Sequence, residues 1–422
     1  MSLNRSDRRG AIMNILYYLK EFPKISESFI LNEIYALERA GHSVAVFALS
    51  GEERDITHTE FGSLDAHIHY AGPIGYDTFT RLVSSDTLGV LRSGEFRSSG
   101  GSINTVRDYI RTLECLKFVS ELGWDVDVVH THFATDEKFA CVNVSDHLDV
   151  PFTITTHAFD IFRDMNKPTR KLLDSADRVV TISEYNRNYL LRKIRGGTPI
   201  DLVHAGIRME KFSPTDSPSE NRVLTVARFI EKKGLHYALE AVAIAAREIP
   251  ELEYHLIGSG PLYEELVRTA AELGIKDNVT FLDNVSDERL IAEYNEARSF
   301  LLPCVITSSG ERDGIPVALM EAMAMNTPPV STTVSGIPEL INHGADGYLT
   351  RPREPEDAAT ALLKLLRNDS EWSAYCRRGR KKVAEQFNVM KEVERLERSF
   401  RAAQGGPVAP YKKRSVRPLN PR

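Results

Sequence analysis

Two carboxylates stand eight positions apart in an otherwise apolar stretch of the chain. Residues 313–326 read DGIPVALMEAMAMN, in which Asp313 and Glu321 are the charged residues. The pattern predicts a helix with Pro316 in its first turn, so apolar side chains would cover most of its circumference and leave Glu321 poorly solvated. A buried acid needs a partner. Two adjacent ribose hydroxyls would suit it, and so would an ion pair with Arg or Lys. The spacing alone does not decide between them.

A pair of cations lies in the segment VARFIEKKGL. Arg228 ends a predicted strand, and Lys233 precedes Gly234 and a predicted helix. Free N–H groups and the helix dipole favour anions at such a helix start. Arginine can grip two oxygens at once, whereas lysine acts as a point charge. The segment therefore indicates either a diphosphate site or a solvated loop with ordinary surface charges.

The segment IGSGPLYEEL places two glycines between a strand and a helix. Gly258 and Gly260 begin a dinucleotide-binding pattern, but Tyr263 stands where the third glycine should be. An NAD-dependent oxidoreductase is therefore disfavoured. The glycines still permit a ligand to approach the backbone closely.

Three histidines follow predicted strands of the first half. His130 and His132 lie in VVHTHFATD, and His157 lies in TTHAFD. His-x-His can chelate a metal, but the sequence identifies no third ligand, and we predict no metal. A neutral histidine that donates a hydrogen bond to a substrate hydroxyl is the favoured interpretation.

The elements that must position these residues alternate between strands and helices. A strand over Met13–Leu19, a helix in FILNEIYALERAG and a strand in HSVAVFAL form a strand–helix–strand unit. The second half repeats the alternation after a polar linker at 213–221, whereas 50–104 has no clear pattern. The sequence predicts two Rossmann-like parallel sheets with ligands bound beyond the carboxyl ends of their strands.

Composition limits the classes of protein that remain. Of 422 residues, 42% are apolar and 27% charged, and the net charge is -6. This is typical of a globular protein and argues against a nucleic-acid partner. Four cysteines without a CxxC predict neither a zinc knuckle nor a disulfide scaffold. No run approaches the roughly 18 apolar residues that span a bilayer. We expect a cytoplasmic protein, with peripheral contact at the inner face of the membrane as the open alternative.

Taken in order, the segments resemble the family-four retaining glycosyltransferases of the GT-B fold, of the colanic-acid (exopolysaccharide) biosynthesis type. They are FPKISESFILNEIYALERAGHSV, THAFDIF, ISEYNRNYL, VHAGIRMEKF, VARFIEKKGL, LIGSGPL and DGIPVALMEAMA. The resemblance covers nearly the whole chain. It implies two Rossmann-like domains that face a cleft, with a C-terminal helix that crosses back. The expected divisions are an acceptor-side domain at 1–212, a nucleotide-sugar domain at 213–390, the crossing helix at 391–404 and a basic disordered tail at 405–422.

The resemblance also implies roles for the polar residues singled out above. Arg228 and Lys233 match the pair that binds the donor diphosphate, so neither a metal nor a cofactor is implied. Glu321 would hold the nucleotide ribose. Asp313 would lie near the donor sugar and His157 would contact that sugar, so these two, with the two cations, are the candidate catalytic residues.

Backbone and acceptor contacts complete the expected site. They are Gly314 and Ile315 near the donor sugar, Gly258, Gly260, Asn284 and Val285 near the nucleotide, and Ser26 and His132 as candidates for acceptor contacts. Two features depart from the family pattern. Asp313 stands where the motif usually has glutamate, and the loop FPKISES replaces a glycine-rich loop.

The function implied is transfer of a sugar, with retention, from a UDP- or GDP-sugar to a hydroxyl of a glycan or lipid-linked glycan. A glycoside hydrolase would also use two carboxylates but would not need the two cations. A non-catalytic nucleotide-sugar-binding protein is the other alternative. The sequence identifies neither the base, the sugar nor the acceptor.

Overall fold

The structure is a computed structural model that describes residues 12–51, 59–74, 97–98, 100, 102–163, 165–194, 196–215 and 218–405. Most of the segment at 50–104 and nearly all of the basic tail lie outside the described residues. Among the described residues, no helix is both long enough and apolar enough to cross a bilayer.

The first half of the chain forms a seven-stranded parallel sheet in the order β3-β2-β1-β4-β5-β6-β7. Residues of the central strands β4, β5 and β6 are buried at every position, as expected for strands covered on both faces. The strands are β1 (Asn14–Glu21), β2 (Ser43–Ser50), β3 (His67–Tyr70), β4 (Val128–His132), β5 (Phe152–Thr156), β6 (Arg178–Thr181) and β7 (Ile200–Leu202).

Helices cover both faces of this sheet. They are α1 (Ser28–Arg39), α2 (Ser102–Leu122), α3 (Phe139–Leu148), α4 (Ala158–Phe162), α5 (Lys167–Asp174) and α6 (Glu184–Lys193). Helix α1 buries Ile30, Ile34 and Leu37 against one face of the sheet, in agreement with the helical spacing of these residues. Helices α2, α3, α5 and α6 contribute to the core on the opposite face.

The second half forms a six-stranded parallel sheet in the order β10-β9-β8-β11-β12-β13. Its strands are β8 (Arg222–Val226), β9 (Glu253–Ile257), β10 (Val279–Leu282), β11 (Ser299–Leu302), β12 (Pro329–Thr332) and β13 (Tyr348–Thr350). Its helices are α7 (Leu235–Ala246), α8 (Tyr263–Glu272), α9 (Asp287–Glu296), α10 (Val317–Ala324), α11 (Ile337–Leu340), α12 (Pro355–Arg367) and α13 (Asp369–Gln386). Separate apolar cores lie on its two faces.

The last described helix, α14 (Val389–Ala403), returns to the first half of the chain. Asn388 caps its start by accepting a hydrogen bond from the N–H of Met390 at 3.0 Å. Leu396 and Phe400 are fully buried in the core between α14, α1 and the first sheet. The two parallel sheets and the crossing helix confirm the predicted architecture. The exact domain boundaries stay predictions.

A cleft of about 940 Å³ separates the two sheets. Residues at the carboxyl ends of strands line it from both sides: Glu21 of β1 and His132 of β4, and Val226 of β8 and Ile257 of β9. This is where parallel α/β sheets bind ligands.

Candidate active site

The cleft brings together twelve of the thirteen residues predicted from the sequence. They are Ser26, His132, His157, Arg228, Lys233, Gly258, Asn284, Val285, Asp313, Gly314, Ile315 and Glu321. Gly260 is the exception. A Cβ there would lie 2.6 Å from the carbonyl oxygen of Phe229, so this glycine permits two loops to pack together.

Gly258 also serves the packing of the loops beneath the cleft. Its φ is +136°, and an added Cβ would overlap the carbonyl oxygen of Ala227 in the loop after β8. Its N–H donates to the carbonyl oxygen of Leu282, at the end of β10. The loops after three neighbouring strands are therefore held together where Arg228 emerges into the cleft.

Asp313 lies between two lysines on the wall of the cleft that the second half of the chain forms. Its Oδ2 is 2.7 Å from Nζ of Lys233, and its Oδ1 is 3.0 Å from Nζ of Lys232. Burial alone would raise the pKa of Asp313, but Lys233 and Lys232 more than offset this and hold the pKa well below its ordinary value. Asp313 is therefore ionised at neutral pH and forms ion pairs with both lysines.

Lys233 is affected reciprocally. Burial alone would lower its pKa, but Asp313 outweighs burial and raises it, so the ammonium stays charged. Cys304, in the loop after β11, donates a weak hydrogen bond from Sγ to Oδ2 of Asp313 at 3.6 Å. Lys232 was not identified from the sequence. The doubled lysine in EKKGL was the available signal, because a short 3-10 turn at Glu231–Lys233 lets both side chains reach one carboxylate.

Glu321 lies on the side of helix α10 that faces the cleft, together with the apolar Val317 one turn earlier. Leu319, Met320 and Met323 are buried. Glu321 is half-buried, and its Oε2 accepts a hydrogen bond from the hydroxyl of buried Tyr294 at 3.0 Å. Tyr294 was not identified from the sequence. The helix begins one residue after Pro316, so this proline precedes the first turn and does not lie within it.

The histidines form a buried hydrogen-bonded chain on the opposite wall. His157 Nε2 lies 3.0 Å from His132 Nδ1, and His132 Nε2 lies 2.9 Å from Oε1 of Glu33 on helix α1. The same carboxylate oxygen accepts a hydrogen bond from the hydroxyl of Tyr17 at 2.6 Å. Because that oxygen accepts, His132 donates from Nε2, and His157 donates from Nε2 to the bare Nδ1 of His132.

The start of helix α4 holds His157 from its other side. His157 and Asp160 form a capping box: the backbone N–H of His157 donates to Oδ1 of Asp160 at 2.8 Å, and the His157 ring accepts from the backbone of Asp160. Phe29 and Phe133 flank the ring, with centroids 4.7 and 4.4 Å away. Phe133 has a φ of +64°, a strained conformation for a bulky residue that is typical of functional sites.

Burial keeps these histidines neutral. It lowers the pKa of both His130 and His132 to about 3, with neighbouring positive charge adding to the effect, and it lowers the pKa of His157 well below its ordinary value. Near neutral pH each ring therefore carries one proton, which it can donate in only one direction.

Glu33, His130 and His132 also raise the question of a metal. Their ligand atoms all lie within 4.8 Å of one another, so Glu33 supplies the third ligand that the sequence could not identify. However, the two nitrogens of His130 face the hydroxyls of Thr153 and Thr155, at 2.7 and 3.1 Å, and His132 already bonds Glu33. The cluster is a satisfied hydrogen-bond network, and a metal-free mechanism stays a prediction.

Two family models together match most of the chain. Residues 26–211 match the family described as Glycosyltransferase Family 4, and residues 208–383 match Glycosyl transferases group 1. The chain is 30% identical over 397 residues to the putative colanic acid biosynthesis glycosyltransferase WcaL of Salmonella typhimurium. It is 28% identical over 394 residues to the amylovoran biosynthesis glycosyltransferase AmsK of Erwinia amylovora. Both alignments cover 89% of this chain and 96% of the relative.

Solved structures extend the comparison to the fold. HepE of Anabaena, solved in complex with UDP and glucose, superposes with a TM-score of 0.67 at 15% identity, covering 92% of this chain and all of that one. Identity this low indicates a shared fold and nothing more.

Two parallel sheets that face a common cleft, with a helix that returns from the second half to the first, form the GT-B fold, and the family matches identify the protein as a glycosyltransferase. The chain belongs to the family-four glycosyltransferases, and within them to the exopolysaccharide-biosynthesis type that includes the colanic-acid enzymes. The predicted resemblance is confirmed.

Proposed function

We propose that this enzyme transfers a sugar from a UDP- or GDP-sugar to a hydroxyl of a glycan or lipid-linked glycan, with retention and without a metal. The observation that carries the proposal is the joint placement of Arg228, Lys233 and Glu321 beside the carboxyl ends of β8 and β9. Cations and a carboxylate in this arrangement suit a diphosphate and a ribose. In this account residues 213–390 bind the donor and residues 1–212 bind the acceptor.

The donor diphosphate would contact Arg228 and Lys233. Arg228 is exposed to the cleft, where its fork of donors can grip two phosphate oxygens. As the bond between sugar and diphosphate breaks, negative charge grows on the leaving phosphate. Fixed cations stabilise that charge without reorganisation, which replaces the role that a metal would play.

The nucleotide would lie along helix α10 and the loop after β10. Glu321 is held by the hydroxyl of Tyr294, and its carboxylate would accept hydrogen bonds from the two ribose hydroxyls. Gly258, Asn284 and Val285 line the neighbouring wall and would contact the nucleotide. The N–H groups of Gly314 and Ile315 would face the donor sugar.

The reacting sugar would lie between Asp313 and His157. The acceptor hydroxyl attacks the anomeric carbon from the face that the diphosphate leaves, so the configuration is retained. The acceptor proton passes to the leaving phosphate oxygen, and the products are the glycoside and a nucleoside diphosphate. Ser26, which lines the cleft, would contact the acceptor. His132 also lines the cleft, but its two ring nitrogens are already bonded to His157 and Glu33, so it would hold His157 rather than contact the acceptor.

The relatives support this direction. WcaL and AmsK are named for the biosynthesis of colanic acid and amylovoran, and HepE was solved with UDP and glucose. These names favour an exopolysaccharide acceptor and a nucleoside diphosphate donor for this enzyme. A lipid-linked acceptor would bring the enzyme to the inner face of the membrane.

A thermal-shift panel of UDP-, GDP- and ADP-sugars tests the donor. We expect one nucleotide class to raise Tm, since a ligand that binds only the folded state stabilises it. Incubation of that donor with candidate acceptors should release nucleoside diphosphate, and NMR of the new anomeric centre should show retained configuration. Thermal stabilisation without turnover would favour a non-catalytic nucleotide-sugar-binding protein, and cleavage of an aryl glycoside would favour a glycoside hydrolase.

A further inference from the structure

The charged residues around Asp313 carry a net positive charge that suits a diphosphate. Arg228, Lys232 and Lys233 carry three positive charges, and Asp313 neutralises one of them. The two positive charges that remain match the two negative charges of a diphosphate diester. Lys232 belongs to this charged group, although the proposed function gives it no role.

Asp313 occupies a position that the diphosphate needs. Its Oδ2 lies 2.7 Å from Nζ of Lys233, the ammonium that is proposed to bind phosphate. A phosphate oxygen at the same ammonium would approach this carboxylate, and two like charges so close repel strongly in a poorly solvated site. The carboxylate and the diphosphate therefore compete for Lys233.

Lys232 is placed to keep Asp313 in position during that competition. Its Nζ binds the other carboxylate oxygen, Oδ1, at 3.0 Å. The residue is only 9% exposed, and its carbonyl oxygen accepts a hydrogen bond from the N–H of Val305, so its backbone is anchored to the loop after β11.

We propose that Asp313 exchanges partners when the donor binds: the diphosphate takes Lys233, and Lys232 becomes the ammonium that holds Asp313 beside the donor sugar. Lys232 is thus a positioning residue that acts through Asp313. The inference rests on the proposed diphosphate site, in which Asp313 occupies Lys233 until the diphosphate binds.

The first test is calorimetric titration of UDP and of GDP into wild type and Asp313→Asn. Removal of the competing carboxylate should tighten binding of the preferred nucleoside diphosphate by about tenfold, while turnover with the sugar donor falls. Unchanged or weaker nucleotide binding by Asp313→Asn would overturn the exchange. A Tm close to wild type verifies that the variant is folded.

The second test is a double-mutant cycle on the same binding constant. If Lys232 acts through Asp313, Lys232→Met should weaken nucleotide binding by the otherwise wild-type enzyme. In the Asp313→Asn background the same substitution should change nucleotide affinity by less than about threefold. Lys232→Arg should recover most of the kcat that Lys232→Met loses. An equal loss of affinity in both backgrounds would make Lys232 a direct phosphate ligand and overturn its positioning role.

Lys233→Ala distinguishes failure of the proposed diphosphate site from failure of the partner exchange at Asp313. Nucleotide binding that does not depend on Lys233, or no binding of UDP or GDP by wild type, would overturn the diphosphate site and this inference with it. Binding that depends on Lys233 but is not tightened by Asp313→Asn would overturn the inference alone.

Discussion

At the scale of single residues, the sequence identifies several residues of the site, but the contacts between them are seen only in the folded structure. The sequence identified Asp313, Lys233 and Glu321 from their types and spacing. It could not show that Asp313 bonds both lysines or that Tyr294 bonds Glu321, because these partners come from other loops and helices. Contacts between elements depend on the topology, which residue spacing does not contain.

The hydroxyl of Tyr294 should contribute to donor affinity. Tyr294→Phe removes a hydrogen bond to the Glu321 carboxylate, and hydrogen bonds to charged groups contribute about 1.5–3 kcal/mol. We expect the donor to bind roughly tenfold more weakly, as measured by calorimetry. Tyr254→Phe is the matched control: its buried hydroxyl bonds Thr225 at 2.8 Å and does not line the cleft. Equal donor affinity in wild type and Tyr294→Phe would exclude the positioning of Glu321 by this hydroxyl.

The buried histidines should make the fold sensitive to acid. In the folded protein the pKa of His130 is about 3, whereas an unfolded histidine has a pKa of about 6.5. As pH falls from about 6.5 toward 3, the unfolded chain binds protons at histidines that stay neutral in the folded protein. The free energy of unfolding therefore falls with pH over this window, and its contribution is fully present above it.

Replacement of His130 by asparagine should weaken this acid sensitivity. His130 faces His132, His157 and Glu33, which remain in the variant, so only part of the effect is removed. Between about pH 7.5 and about pH 5, the loss of unfolding free energy should be smaller in His130→Asn by about 1–2 kcal/mol. Urea unfolding at the two pH values measures it, and an identical loss in both proteins would contradict the account.

At the scale of elements, the loop after β8 depends on a glycine at a position that has no room for a side chain. Gly234, directly after Lys233, has a φ of +68°, and an added Cβ would overlap the carbonyl oxygen of Pro303. Gly274 has nearly the same φ, +73°, but nothing lies within 4 Å of its added Cβ. These two glycines separate backbone strain from close packing.

Alanine at the two positions should therefore have different effects. We expect Gly274→Ala to lower the free energy of unfolding by about 1 kcal/mol, from the left-handed conformation alone. Gly234→Ala should lower it by more than about 3 kcal/mol and weaken nucleotide binding, because the loop that carries Lys233 must move. Urea unfolding measures both. Similar losses of stability in the two variants would show that the backbone at Pro303 moves away from the added Cβ without a further loss of unfolding free energy.

The elements also show what the sequence could and could not predict. The alternation of apolar strands and amphipathic helices predicted both sheets, because each strand buried on two faces reads as an apolar run. Strand β3 was missed, since His67–Tyr70 is only partly buried and lies at the edge of its sheet. Glu33 was missed because only the packing of α1 on the sheet brings it to His132.

At the scale of the whole molecule, the two halves are joined by polar contacts as well as by the cleft. Glu339, on helix α11 of the second half, accepts hydrogen bonds from the N–H groups of Glu184 and Tyr185, at 2.8 and 2.9 Å. These N–H groups open helix α6 of the first half, where a carboxylate is favourable. Helix α14 makes a second connection, with Oε2 of Glu392 accepting from the N–H of His204 at 2.9 Å.

The crossing helix should be essential for the stability of the first half. Phe400 is fully buried, and its ring centroid lies 5.0 Å from that of His130, behind the histidine chain. Phe400→Ala should lower the free energy of unfolding by about 3–5 kcal/mol through the cavity it leaves. Arg398→Ala, on the exposed side of the same helix, should change it by less than about 0.5 kcal/mol. Comparable losses in chemical denaturation would mean that α14 is not part of this core.

The central claim is that Lys233 stabilises the departing diphosphate of a sugar donor. The most direct measurement is kcat/KM for sugar transfer from the donor that stabilises the enzyme, compared between wild type and Lys233→Ala. We predict a loss of about 10²–10³-fold, because a fixed charge at the leaving group acts mainly in the transition state. A kcat/KM within a few-fold of wild type would contradict the diphosphate site on which the proposed transfer depends.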